Sequence, residues 1–125
     1  MIFVDANVFM YAVGRLHPLQ EEAVRFFEDH PAVTLVTSAE VLQELLHAYV
    51  PVGRLDTLEA ALQLATERTS AVWSVESADV LLARTLADRF PALTARDLLH
   101  VACCTRRGVE RVQTYDRALA AAFRS

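Results

Sequence analysis

This chain has no lysine, few residues that interrupt regular structure and no long apolar run. Each shortage removes a class of protein. With 3 Gly and 4 Pro in 125 residues, collagen-like and low-complexity disordered chains are excluded. The 2 cysteines, Cys103 and Cys104, are adjacent. On a helix they point in different directions, so they make neither a zinc clip nor a disulfide framework and read as core or spacer thiols. No stretch approaches the ~20 apolar residues of a membrane span, and Asp5 breaks the N-terminal apolar run too early for a signal peptide. A cytoplasmic protein with no membrane association is expected. Positive charge is also scarce: 12 basic residues, all Arg, face 16 acidic ones, for a net charge of −4. That balance counts against a nucleic-acid partner unless the negative charge is concentrated and neutralised by metal. Arg suits planar contacts to phosphate, but its exclusive use here is read first as compositional bias.

Hydrophobic residues make up 54% of the chain, enough for a single domain, 1–125, that buries about two-thirds of its unfolded surface. Ile2-Phe3-Val4 is a short run of β-forming residues suited to a strand buried on both faces. It ends in Asp5, with Asn7 two residues on and a short helix, Val8–Val13, stopping at Gly14. A second helix is expected from near Pro18 to Asp29 with Leu19, Ala23, Phe26 and Phe27 inward. Val33–Val36 reads as a strand and Ser38 as the cap of a helix to about Tyr49. Further helices are expected at about Thr57–Arg68, Ser77–Phe90 and Ala95–Arg107, the last capped by Thr94 and ended by Gly108. Strands at Ala71–Val75 and Val109–Gln113 separate them, and an Ala-rich helix closes the chain. Alternating strands and helices imply parallel βαβ units, hence a three-layer α/β/α sandwich around a parallel sheet of four to five strands.

Four acids sit at punctuation points of that pattern. Asp5 ends the first strand, Glu44 lies in the helix after the second, Asp97 opens the helix after Thr94, and Asp116 follows the last strand. Each has a local explanation. Asp5 and Asp116 suit N-caps, Asp97 a capping-box position, and Glu44 a solvated helix face. In a parallel sheet, however, all four can project beyond one strand edge into one pocket, where open α/β folds bind ligands. Clustered carboxylates repel and raise one another's pKa, so such a pocket calls for a divalent cation. Mg²⁺ or Mn²⁺ suits hard oxygen ligands and substrate phosphates, and a pair of ions can activate water for phosphodiester hydrolysis. Asn7 is placed to orient Asp5 or a bound water. The quartet carries as much negative charge as the whole chain's net −4, so neutralising it lifts much of the objection to nucleic acid.

Ile2-Phe3-Val4-Asp5-Ala6-Asn7, Thr37-Ser38-Ala39-Glu40-Val41-Leu42-Gln43-Glu44-Leu45, Ala95-Arg96-Asp97-Leu98-Leu99-His100-Val101-Ala102 and Thr114-Tyr115-Asp116 follow one another along nearly the whole chain. In order and spacing they resemble the PIN-domain ribonucleases, particularly the VapC-type toxins of prokaryotic toxin–antitoxin pairs. The resemblance implies a metal-dependent endoribonuclease acting on single-stranded or looped RNA. It implies that Asp5, Glu44, Asp97 and Asp116 are the catalytic acids that bind Mg²⁺ or Mn²⁺, with Thr114 supporting the site through its hydroxyl. A cognate antitoxin and a homodimer are implied partners. A net negative charge departs from the strongly basic pattern of many RNA binders and bears on substrate choice more than on chemistry.

Competing readings remain. A haloacid-dehalogenase-like phosphatase wants a second acid where Asn7 stands and a later Lys, and a receiver domain also wants a Lys. A catalytically inactive PIN-like metal- or RNA-binding module, or interaction module, keeps the same ligands. His100, three residues after Asp97, reads as a buried or supporting histidine before a general base. Glu40 reads as surface, His47 forms no HExxH motif with Glu44, and Asp79 reads as a first-turn acid near Ser77. Arg96, Arg106, Arg107, Arg111 and Arg117 serve equally as helix-end charges or phosphate guides. Trp73 reads as core, and Tyr115 as a surface on which a base could stack.

Overall fold

The first strand is the axis of the sheet. β1 (Ile2–Val4) is buried along its whole length, as a run of β-branched and aromatic residues covered on both faces requires. In the computed structural model, which describes residues 1–14 and 17–125, it pairs in parallel with β2 (Leu35–Ser38) on one side and β4 (Arg111–Gln113) on the other. β3 (Ala71–Trp73) pairs with β2, giving a four-stranded parallel sheet of order β3-β2-β1-β4.

The chain thus steps from β1 to β2 to β3, then returns across the sheet to β4. Right-handed crossovers put the helices of the outward steps on one face and those of the return on the other. α1 (Ala6–Val13), α2 (Gln20–Asp29), α3 (Ala39–Tyr49) and α4 (Leu55–Glu67) pack together. α5 (Ser77–Ala87) packs on α6 (Ala95–Arg106), and α6 touches α7 (Arg117–Phe123). The expected three-layer α/β/α sandwich is the observed fold, with four strands.

Phe3, Phe9, Phe27, Leu35 and Leu45 fill the main core with Val4, Val8 and Val41. Phe9 stacks on Phe27 with centroids 5.4 Å apart, and Phe3 on Trp73 at 5.7 Å. Both cysteines are buried. Burial pushes the Cys103 thiol up to about 11 and that of Cys104 higher still, as expected of inert core thiols.

Several expected boundaries move. Pro31 begins a 3₁₀ turn at Ala32–Thr34, in which the Thr34 hydroxyl donates to the Pro31 carbonyl at 2.7 Å. The second strand therefore starts at Leu35 rather than Val33. α4 starts two residues early, at Leu55, and α5 ends at Ala87 rather than Phe90. Val109 and Glu110 stay outside β4. They form the exit from α6 after Gly108, whose φ of 70° is the left-handed conformation that ends a helix.

Asp79 is the expected first-turn acid of α5 and has further partners. Glu76 caps α5, and its N–H donates to Asp79 Oδ2 at 2.8 Å. The Asp79 side chain is fully buried and accepts from Arg106 Nη1 at 2.7 Å and Arg107 Nη1 at 2.8 Å. Arg107 also covers the Trp73 ring at 5.0 Å. Hydrogen bonds from Arg107 above all hold the Asp79 carboxyl far below the ordinary carboxylate range, overcoming its burial. A group held low stabilises the fold above its ordinary pKa and loses that contribution as acid protonates it. Asp79→Ala should therefore lower the unfolding free energy by about 2–3 kcal/mol at neutral pH. In urea titrations, that deficit should shrink as the pH falls below about 4.

Candidate active site

The reversal of strand order leaves a crevice beyond the carboxyl ends of β1 and β4, the place where open α/β sheets bind ligands. Asp5 is the first residue beyond β1. Its backbone N–H still donates to the Gln113 carbonyl at 3.0 Å, while its side chain already caps α1, with Oδ1 accepting from the Ala6 N–H at 2.8 Å. The cap reading is thus true of Asp5 and leaves its other oxygen available. Oδ2 accepts from the Thr114 hydroxyl at 2.7 Å.

Thr114 is a junction. Its oxygen also accepts from Asn7 Nδ2 at 3.2 Å and from the Asp116 N–H at 3.1 Å. One donor and two acceptors are all a hydroxyl has, so its proton is committed to Asp5. Asn7 completes the tie, its Oδ1 accepting from the Tyr115 N–H at 3.2 Å.

The other acids arrive from separate elements. Glu44 comes from the middle of α3, whose start is capped by Ser38. Asp97 is in the first turn of α6, where its N–H donates to the Thr94 cap at 3.3 Å. Asp116 caps α7, its Oδ1 accepting from Ala118 N–H at 2.9 Å and Leu119 N–H at 3.2 Å. All four acids line one cavity of about 320 Å³, together with Asn7, Met10, His47, Thr94 and Arg96. A larger cleft of about 500 Å³ lies between α5, α6 and α7, but its lining of Phe90, Val101, Phe123 and others includes one acid, Glu110. The acids gather in the smaller space.

His100, fully buried on α6, lies behind Glu44 and Asp5, which line the cavity. Its Nε2 is 3.2 Å from each Glu44 oxygen and 3.6 Å from Asp5 Oδ1. Among the described residues, donor atoms of Asp5, Glu44 and His100 lie within 4.8 Å of one another, while Asp97 and Asp116 stand outside that group. Burial raises the Asp5 carboxyl, with the Glu44 charge adding and His100, Thr114 and Ala6 opposing. Burial likewise raises Asp97, helped by Asp116 and Asp5. Burial alone would lower His100, but the bond and charge of Glu44 and the charges of Asp5 and Asp97 outweigh it, so its pKa rises.

These carboxylates are an unrelieved set of hard oxygen donors. Arg96 Nε, on a half-exposed side chain, stands 3.8 Å from Glu44, and His47 is an exposed rim residue. The donor set fits Mg²⁺ or Mn²⁺, whose charge would offset the burial and the lesser repulsion that raise Asp5 and Asp97. Glu40, Trp73 and Tyr115 do not line the cavity. Trp73 is packed on Phe3, and Tyr115 lies edge-on to Tyr11 at 5.3 Å. Of the arginines read from sequence, Arg96 alone reaches the cavity, while Arg106 and Arg107 are spent on Asp79. The contribution of His47 escaped the sequence, where its only signal was a position three residues after Glu44, one turn along α3.

A PIN domain family model matches residues 2–123. The chain belongs to the PIN domain family. Ribonuclease VapC23 of Mycobacterium tuberculosis (strain CDC 1551 / Oshkosh) is 62% identical to this PIN domain over 128 residues, covering 100% of both chains. VapC ribonuclease Mb1869c of Mycobacterium bovis is 38% identical over 119 residues, 94% of this chain and 91% of that protein. The crystal structure of Mycobacterium tuberculosis VapC20, a sarcin-ricin loop cleaving toxin, shares the fold with a TM-score of 0.84. At 20% identity, that match covers 98% of this chain and 95% of the other.

Two outcomes follow from the site's electrostatics. Asp5, Asp97 and His100 all hold protons more tightly folded than unfolded. Their contribution is therefore most favourable at acid pH and declines as pH rises through their folded values. Without divalent ions, the thermal midpoint of the PIN domain should fall as the pH rises from about 4, where the unfolded carboxylates ionise, to beyond about 6.5, where an unfolded histidine loses its proton. Mn²⁺ at 100 times its Kd should add about 2.7 kcal/mol at neutral pH and less in acid, because protons compete for the same oxygens. Separately, Thr114→Val leaves Asp5, Asn7 and the Asp116 N–H short of partners and should cost about 2–3 kcal/mol, with Thr114→Ser restoring most of it by calorimetry.

Proposed function

We propose that residues 1–125 act as one PIN domain that hydrolyses RNA phosphodiester bonds with Mg²⁺ or Mn²⁺, as the toxin of a toxin–antitoxin pair. The observation that carries this is the convergence of Asp5, Glu44, Asp97 and Asp116, from four separate parts of the chain, on one cavity. Full-length likeness to a protein named a ribonuclease supports it. Asp5, Glu44, Asp97 and Asp116 would hold the metal, which when bound lowers the pKa of water and stabilises the leaving oxygen of the phosphodiester.

The chain's own groups prepare that chemistry. Thr114 and Asn7 fix the Asp5 carboxylate, so no side-chain freedom is lost when a ligand arrives. Burial keeps the acids in a poorly screened space where their charge acts strongly on a bound cation. Arg96 and His47 at the rim face a cavity wide enough for a phosphate and can hold its oxygens while the acids below hold the cation. Single-stranded or looped RNA is the substrate that the resemblance to VapC-type toxins assigns to this cavity. A cognate antitoxin that covers the acidic cavity and a second copy of the chain are the partners this reading assigns, in the cytoplasm.

Incubation with end-labelled single-stranded and hairpin RNA in Mn²⁺, Mg²⁺ or EDTA tests the proposal. Cleavage should need the metal and fall by about 10²–10³-fold in Asp5→Asn or Asp97→Asn. Metal-dependent RNA binding without cleavage would instead favour an inactive binding module. Equal cleavage by wild type and both variants would assign the activity to something else.

A further inference from the structure

The nitrogen donor beside the acidic cavity is His100, and its geometry gives it a defined task. Its Nε2 stands at the same 3.2 Å from both Glu44 oxygens, so one N–H is shared symmetrically by the whole carboxylate. Nδ1, at the other side of the ring, is buried and has no hydrogen-bond partner among the described residues. A ligating histidine ordinarily hands its second N–H to a carboxylate, carbonyl or water. Here a proton on Nδ1 would be stranded. Of the two neutral tautomers, the one that strands no donor carries its proton on Nε2; the protonated ring carries one there too, and in either form that nitrogen has no lone pair for a cation.

The ring is also held in place. Phe3 packs against it with centroids 5.3 Å apart, and Phe3 is itself stacked on Trp73. Glu44, by contrast, has three flexible side-chain torsions. Apart from His100, the cation within reach of its carboxylate among the described residues is Arg96, at 3.8 Å on a half-exposed side chain. Each Glu44 oxygen still keeps a lone pair beyond the one facing His100. Asp97 and His100 lie three residues apart in α6 and so share a face of the helix. That face contributes one acid to the cavity and steadies another.

We propose that His100 is a positioning residue, a rigid Nε2–H donor that orients the Glu44 carboxylate toward Asp5 and thereby sets the cavity's affinity for its divalent cation. The inference rests on the metal-dependent reading above. His100 touches no reacting atom and acts through Glu44.

The test replaces His100 with Gln, whose side-chain amide can offer an N–H at similar reach, and with Leu, which fills space and offers none. Mn²⁺ affinity is read from the electron paramagnetic resonance signal of free Mn²⁺, alongside the thermal midpoint with and without Mn²⁺. His100→Leu should weaken Mn²⁺ binding by about 10- to 100-fold, and His100→Gln should stay within about threefold of wild type. Wild-type affinity in His100→Leu would overturn the proposal. So would equal losses in Leu and Gln, which would make the imidazole itself a ligand. Should His100→Leu fail to fold, the Gln variant decides alone: a loss beyond about tenfold refutes donation as the role. If the wild type binds no Mn²⁺, the metal-dependent reading itself fails and takes this inference with it, an outcome distinct from tight wild-type binding that His100→Leu leaves unchanged.

Discussion

The bond from the Thr114 hydroxyl to Asp5 Oδ2 is the constraint on which the cavity depends. It crosses the point where the strand order reverses, joining the end of β1 to the loop after β4. Backbone pairing aligns these strands only as far as Gln113, whose carbonyl accepts the Asp5 N–H. Beyond that the chains diverge, β1 into α1 and β4 toward α7. A side-chain hydroxyl with all its bonding capacity used holds the diverging ends together. Two acids are placed by it at once, Asp5 through its carboxylate and Asp116 through its backbone N–H. An apolar residue of the same shape at position 114 would keep the packing and lose the alignment.

Gathering acids has a cost that the fold does not hide. Asp5 and Asp97 are both pushed upward, mainly by burial. Hydrogen bonds and His100 offset part of that cost. Asp79 shows the contrasting solution in the same molecule, because two arginines and a backbone N–H hold its buried carboxylate charged. A structural acid is satisfied by the protein itself. Of the cavity acids, Asp5 and Asp97 are compensated less completely and hold their protons more tightly than usual, a condition that a bound divalent cation would relieve.

Much of this was legible in the chain. Ile2-Phe3-Val4 followed by Asp5 identified a buried strand and its polar end, and Ser38, Thr94 and Gly108 marked helix boundaries where capping chemistry demands them. The strand ends were less clear, because apolar residues such as Val33 and Val109 suit a turn as well as a strand when a proline or glycine adjoins them. The convergence of Asp5, Glu44, Asp97 and Asp116 could be argued from topology, since a parallel sheet sends every strand end the same way. What periodicity could not supply was the partner of each long side chain. Arg106 and Arg107 read equally as helix-end charges or phosphate guides, and their partner Asp79 lies 27 and 28 residues earlier in the chain. His100 and Glu44 are 56 residues apart, and nothing local to either announces the other.

α6 connects these two kinds of acid. Its first turn holds Asp97, its second His100, and its last residue, Arg106, grips Asp79 on α5. Arg107, just beyond it, does the same and reaches across to Trp73, which backs Phe3, which in turn backs the His100 ring. The helix is thus anchored at its C-terminal end by charge and along its middle by stacked rings, while its N-terminal turn faces the cavity. An α-helix rises 1.5 Å per residue, so fixing one end fixes the register of the other to within a fraction of a turn. The buried ion pair at the far end is therefore part of what holds Asp97 and His100 where the cavity needs them.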